Sequence, residues 1–309
     1  MPRQLKTIAI KLWEVFRDTA IRWNESGPWR QSAILAYYAI FSLPALLLIV
    51  IVMVGYFFGE DAVSQQLSVR IADMIGEETA KSVEFMVANA AETGSSRLAM
   101  LIGIGLLLFG ATSIFYHLQL SLNRIWGVVP KPRQAFLKYL KDRLLSFGLV
   151  LVIGFLLLLS MIINSVVAAL SDWINNHWQE TSKLLPILSN YGLALVVTTT
   201  LFALMFKFLP DAIIRWRSVG VGALLTALLF ASGQYGLSIY FSNYDPSSLY
   251  GSAGAIILIM IWASYVAMII LFGAEFTRQF ANKFGHGIRP RGSAILYEDM
   301  ENRYPAAME

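Results

Sequence analysis

The stretch Tyr250–Arg278, YGSAGAIILIMIWASYVAMIILFGAEFTR, carries no charged side chain between Gly251 and Ala274. A helix of that length reaches about 36 Å at 1.5 Å per residue, enough to cross a hydrocarbon layer of roughly 30 Å. It reads as a membrane span. Tyr250, Gly251 and the small residues Ser252, Ala253 and Gly254 open it, and Gly273-Ala274-Glu275 closes it beside Arg278.

The rest of the chain has the same character. Of 309 residues 57% are hydrophobic and 14% charged, against roughly 45–50% and 25% in soluble domains. Runs free of Asp, Glu, Lys and Arg cover Ser32–Gly59, Leu98–Asn123, Leu144–Ser171, Leu184–Phe206, Ser218–Tyr244 and Tyr250–Ala274. The expected fold is all-α: a polytopic membrane protein of six transmembrane helices, each satisfying its own backbone in lipid, with short amphipathic interfacial helices and a small helical outer cap. Three regions follow: a cytoplasmic amphipathic helix over 1–31, the membrane domain over 32–284 with an outer helical loop over 60–97, and a loosely ordered cytoplasmic tail over 285–309.

Charge sets the orientation. Twenty of the 24 basic residues flank one end of the spans, and the other loops hold only Arg70, Lys81, Arg97 and Lys183. Acidic residues divide ten and ten, so one side nets +10 and the other −6, consistent with the overall +4. Lys and Arg near span ends favour the cytoplasm. Both termini are therefore expected in the cytoplasm. The pI near 9.2 follows from a basic inner face beside anionic lipid, so membrane lipid is the expected partner and nucleic acid is not. The first apolar run is too long for a signal peptide and reads as a retained anchor.

Within this frame, residues 2–25 place Leu5, Ile8, Leu12, Val15, Phe16, Thr19 and Trp23 at helical spacing, the pattern of a basic amphipathic anchor on the inner leaflet. The first span holds Tyr37, Tyr38, Ser42 and Pro44. Pro44 removes a backbone donor and predicts a kink, and the two tyrosines with Ser42 form either a polar pocket or an aromatic belt with a Ser back-bond. The 60–97 loop predicts two amphipathic helices broken at Gly76. Gly103, Gly105 and Gly110 suit close helix approach, as does the stripe Ala223, Ala227, Ala231, Tyr235; these serve a homo-oligomer seam as well as packing within one chain. Asn123, Arg124, Gln234 and Tyr235 are polar groups near span ends or faces, and Asn164 is a lone amide in the third span.

Several chemistries lack their residues. There is no cysteine, hence no disulfide or thiolate metal site. The three histidines, His117, His177 and His286, divide between the two sides, and no phosphate-binding loop or nucleophile elbow occurs. No enzyme activity, cofactor or metal is expected. Nor do the spans carry the mid-membrane charge that ion-coupled transporters use. Uncharged polar groups across the spans suit an amphiphile whose headgroup moves past them while its chains stay in lipid. Glu275 is the sharpest single residue: a latch at the inner mouth, paired with Arg278, Lys207, His117 or Arg124, or else a surface ion pair of less than about 1 kcal/mol.

The strings AYYAIFSLPALL (36–47), LNRIW (122–126), GLSIY (236–240), YGSAGAIILIMIW (250–262) and FGAEF (272–276), in that order, resemble the YihY/BrkB family of bacterial inner-membrane proteins over residues 20–285. The resemblance implies six helices and a protein of a kind labelled a virulence or serum-resistance factor, linked in some members to envelope lipid traffic and in an older attribution to a ribonuclease. It supplies no catalytic residues. The expected function is that of a transporter-like protein moving or organising an amphiphilic envelope substrate such as a lipid. The alternative is a non-transporting scaffold for envelope assembly or serum resistance.

Overall fold

The computed structural model describes residues 2–75, 77–91, 97–130, 184–243, 254–292 and 294–298, with isolated positions 148, 152 and 156. Eight helices are described: α1 (Pro2–Glu25), α2 (Pro28–Phe58), α3 (Glu60–Ile75), α4 (Glu77–Ala91), α5 (Arg97–Ile125), α6 (Leu184–Phe208), α7 (Trp216–Asn243) and α8 (Gly254–Phe284). Among the described residues, Pro28–Val52, Trp216–Leu237 and Gly254–Phe284 are long and apolar enough to cross a membrane. They correspond to the expected first, fifth and sixth spans. The second and fourth coincide with α5 and α6. The third span with Asn164, the interfacial segment after Pro130, and Trp173, Trp178 and His177 lie outside the described residues.

The chain turns between α1 and α2 at Gly27, whose φ of 69° favours glycine, and Pro28 starts α2 where a missing N–H costs nothing. α2 packs against α5 and α8, and α8 against α7. Gly110 of α5 comes up to α2 just before Pro44: a Cβ there would stand 3.2 Å from the Phe41 carbonyl oxygen.

The α7–α8 seam is tighter still. A Cβ on Gly222 would stand 1.8 Å from Thr277 Oγ1, and one on Gly273 1.8 Å from Thr226 Oγ1. Each threonine donates its hydroxyl to the glycine carbonyl four residues earlier in its own helix, Thr226 to Gly222 and Thr277 to Gly273, both at 2.7 Å. The small-residue expectation is met over half the length only. Ala223 and Ala227 are buried, whereas Ala231 and Tyr235 are exposed, because closer contact is taken over by Tyr265, whose hydroxyl occupies the space above Gly233.

The 60–97 segment forms the two helices expected, divided between Ile75 and Glu77. It is not a cap. Gly59, with φ 89°, reverses the chain directly after α2, so α3 returns alongside it, and Val63 packs with Val50. Val83 of α4 is buried with Ile259 of α8, surrounded by Ile40, Leu43 and Leu47 of α2 and Ile71 of α3. At 1.5 Å per residue Leu47 lies about 16 Å below the Phe58 end of α2. A buried amphipathic face is worth more against two apolar helices than against water, and that holds the hairpin on α2 and α8.

At the other end, the basic segments converge. α1 runs antiparallel along the last third of α8: Trp23 stacks edge-on with Phe272 at 5.8 Å, Phe16 contacts Phe276 at 5.0 Å, and Lys283 pairs with Glu14 at 2.5 Å. Val15 and Thr19 of the expected apolar face are buried and Phe16 and Trp23 meet α8, while Ile10, Leu12, Trp13 and Ile21 are exposed. Among the described residues four short strands lie at this end: β1 (Val128–Pro130), β2 (Ala212–Ile213), β3 (Arg289–Pro290) and β4 (Ala294–Leu296). β1 pairs antiparallel with β4 and β2 with β3. The expectation of an all-α chain with a loose tail is corrected for residues 289–290 and 294–296: their backbone groups find partners in the segments after α5 and α6.

Candidate functional site

A cavity of about 640 Å³ opens at the basic end, where the α1–α2 turn meets the ends of α5 and α8. Arg22 of α1, Arg30 of α2, Arg124 of α5 and Arg278 of α8 line it, with Glu25 and Glu275. Each of four helices supplies one guanidinium. Arg278 Nη1 donates to the Ile125 carbonyl at 2.5 Å, which ties the end of α5 to α8. Trp126, 2% exposed, adds a second tie by donating Nε1–H to the Ala274 carbonyl at 3.0 Å.

Glu275 is 2% exposed, and its Oε1 accepts from Gln279 Nε2 at 2.5 Å. The four partners expected for it are disposed differently. Arg278 and Arg124 share its cavity. Lys207 donates instead to the Ile214 carbonyl and lies over the Trp216 ring. His117 stacks on Tyr38 with centroids 3.6 Å apart. Glu275 is buried and lines the same cavity as Arg22, Glu25 and Arg278, so it is not one half of a surface ion pair.

Asn123 neighbours this wall but faces elsewhere. Its Nδ2 donates to Asp211 Oδ2 at 2.8 Å, and Asp211 N–H returns a bond of 2.8 Å to Asn123 Oδ1. Both residues are 4% exposed. Gln119 adds a long contact to the same carboxylate oxygen at 3.5 Å, and Arg291 N–H donates to the Asp211 carbonyl at 2.8 Å. Asp211 therefore joins α5, the α6–α7 connection and the C-terminal strands.

The remaining candidates are not brought to the cavity. Tyr37 is 53% exposed. Ser42 is buried and donates to the Ala39 carbonyl at 3.3 Å, the back-bond of the simpler reading. Pro44 lies within α2, between Phe41 and Ala45, which Gly110 approaches. Gln234 is half-buried and Tyr235 is 72% exposed, both on α7. Tyr250 and Gly251 lie outside the described residues. Sequence reasoning had missed Asp211, Arg22, Arg30 and Gln279. The basic residues looked like ordinary span anchors, and Asp211 is separated from Asn123 by 88 positions.

A second cavity, of about 940 Å³, lies between α2 and the α3–α4 hairpin. Leu47, Leu48 and Ile51 form an aliphatic side, and Ser68, Lys81 and Glu84 are among the polar lining groups; Ser68 donates to Glu84. The hairpin's Lys81 and Glu84 stand in one lining with Leu47, Leu48 and Ile51 of α2.

Comparison with known proteins agrees with this architecture. The family described as virulence factor BrkB matches residues 22–294, so the match runs past the expected limit near 285 into the strand-forming tail. The chain is similar to a UPF0761 membrane protein of Saccharophagus degradans, 27% identical over 280 residues, covering 90% of this chain and 62% of that protein. It is similar also to one of Tolumonas auensis, 27% identical over 274 residues, covering 83% of each. The chain thus spans less than two thirds of the first relative's length. No solved structure matches. On a match covering residues 22–294 and three helices of membrane-spanning length, the chain is an integral membrane protein that belongs to the virulence factor BrkB family.

Proposed function

We propose that the protein moves or organises an amphiphilic envelope substrate, such as a lipid, across a bacterial inner membrane, as a six-span protein with both termini cytoplasmic. The observation that carries this reading is the cavity at the basic end. It combines four guanidinium groups with membrane-spanning walls, and a charged recess at a span end suits a headgroup whose chains remain in lipid. Orientation follows the Lys and Arg bias of the same end. The amphipathic cavity between α2 and the hairpin supports the reading from the other half of the molecule, since it offers an aliphatic wall and polar groups together.

No catalytic step is assigned to these residues; the proposed role is non-enzymatic. The scaffold alternative draws on a free outer cap, and the hairpin's use of Val63 and Val83 against α2 and α8 favours transport over it. The test is leaflet exchange. Purified protein in vesicles should accelerate the movement of a headgroup-labelled lipid over protein-free vesicles. An unchanged rate would remove the transport reading.

A further inference from the structure

Four arginines, one each from α1, α2, α5 and α8, border one cavity of about 640 Å³ that holds two carboxyl groups, so guanidinium outnumbers carboxyl two to one. Even with both carboxyls ionised the lining keeps a positive excess. Arg30 and Arg124 have exposed side chains without an ion-pair partner among the described residues. A guanidinium is a planar fork of N–H donors matched to phosphate oxygens, and donors arriving from separate helices can surround such a group.

Two further features define the occupant. α2 begins at this cavity with Gly27 as its N-cap and no side-chain cap, which leaves the positive end of its dipole facing the arginines. Trp29, on the rim, is 68% exposed. An exposed tryptophan at a span end is the usual marker of the headgroup level, so the recess opens where a lipid phosphate would lie.

We propose that this cavity is a binding site for the phosphate-bearing headgroup of an anionic lipid, held by Arg22, Arg30, Arg124 and Arg278. Glu275, engaged by Gln279 on the floor, limits how far the anion enters. This deepens the amphiphile reading and rests on it for the membrane as the source of the ligand.

The test uses the purified full chain in detergent, with retained ligand counted by native mass spectrometry. The probes are phosphatidate, diacylglycerol with the same chains, and glycerol 3-phosphate. Phosphatidate should be retained and diacylglycerol should not. The double variant Arg30→Gln/Arg124→Gln should weaken phosphatidate retention roughly tenfold or more, whereas Arg215→Gln/Arg217→Gln, which removes the same charge from exposed positions off the cavity, should leave it unchanged. Arg30→Lys/Arg124→Lys, which keeps charge and loses the fork, should fall between them and guards against a folding defect in the glutamine variant. Equal losses in the cavity and control variants would overturn the site. Glycerol 3-phosphate binding as tightly as phosphatidate would overturn the lipid source. Specific binding without leaflet exchange keeps this site and removes transport; exchange unaffected by Arg30→Gln/Arg124→Gln keeps transport and removes this site.

Discussion

Gly222 and Thr277 occupy one another's space: the threonine hydroxyl lies where a glycine Cβ would be, and Gly273 and Thr226 repeat the arrangement in reverse. Each hydroxyl is satisfied within its own helix, so the seam is a pure steric fit in which backbone approaches side chain without an unsatisfied polar atom. Gly222→Ala must push α7 and α8 apart. The expected cost is about 1–3 kcal/mol, the usual range for overpacking, read as a lower unfolding temperature in detergent. Adding Thr277→Ala should restore only part of it, since the Thr277 Cβ would still stand 2.9 Å away. A neutral Gly222→Ala would mean the helices do not cross here.

Asn123 and Asp211 should behave as a unit. Removing either leaves the other's buried polar groups without a partner, at a cost of roughly 1–3 kcal/mol. Asn123→Ala and Asp211→Ala should therefore each destabilise, and the double variant should lose much less than the two effects together. Additive losses measured by thermal unfolding would contradict the reciprocal pair.

The absence of cysteine makes the hairpin directly testable, since any introduced thiol is the only one. Lys81→Cys and Glu84→Cys, exposed positions lining the second cavity, should react with a membrane-impermeant maleimide applied on the side opposite Arg217→Cys. Val83→Cys, at 1% exposure, should stay unlabelled under the same conditions. Labelling of Val83→Cys, or of neither exposed site, would contradict the packing and opening of the hairpin.

The spans were legible because an uncharged run of more than about 18 residues leaves few alternatives in lipid or water. Glu275 was legible for the same reason, as the first acid after such a run. Depth was not. A charged amphipathic segment such as 60–97 has the same periodicity on a membrane surface as between two helices, and only the Val63–Val50 and Val83–Ile259 contacts distinguish them. Arg22, Arg30 and Arg124 each look like a span anchor alone; their convergence depends on the Gly27 turn and on how α5 meets α8. The Gly222–Thr226 and Gly273–Thr277 spacing was present in the sequence as a small residue four positions before a threonine on both helices. That signal lay in the pair of patterns, and neither strand of it stands out in isolation.

Glu275 should respond to removal of its charge without loss of shape. Glu275→Gln keeps a hydrogen-bond acceptor for Gln279, so folding should be retained while the excess of positive charge in the cavity rises. Phosphatidate retention is expected to increase several-fold and leaflet exchange to slow, because a ligand held more tightly leaves more slowly. Unchanged retention and rate would exclude Glu275 from the ligand's path.

The most direct measurement is the exchange rate of a headgroup-labelled anionic lipid in vesicles containing wild-type protein, Arg30→Gln/Arg124→Gln protein, or none. The cavity account predicts fast exchange with wild type and a return close to the protein-free rate with the double variant. Equal exchange by the two proteins, or none by either, would contradict it.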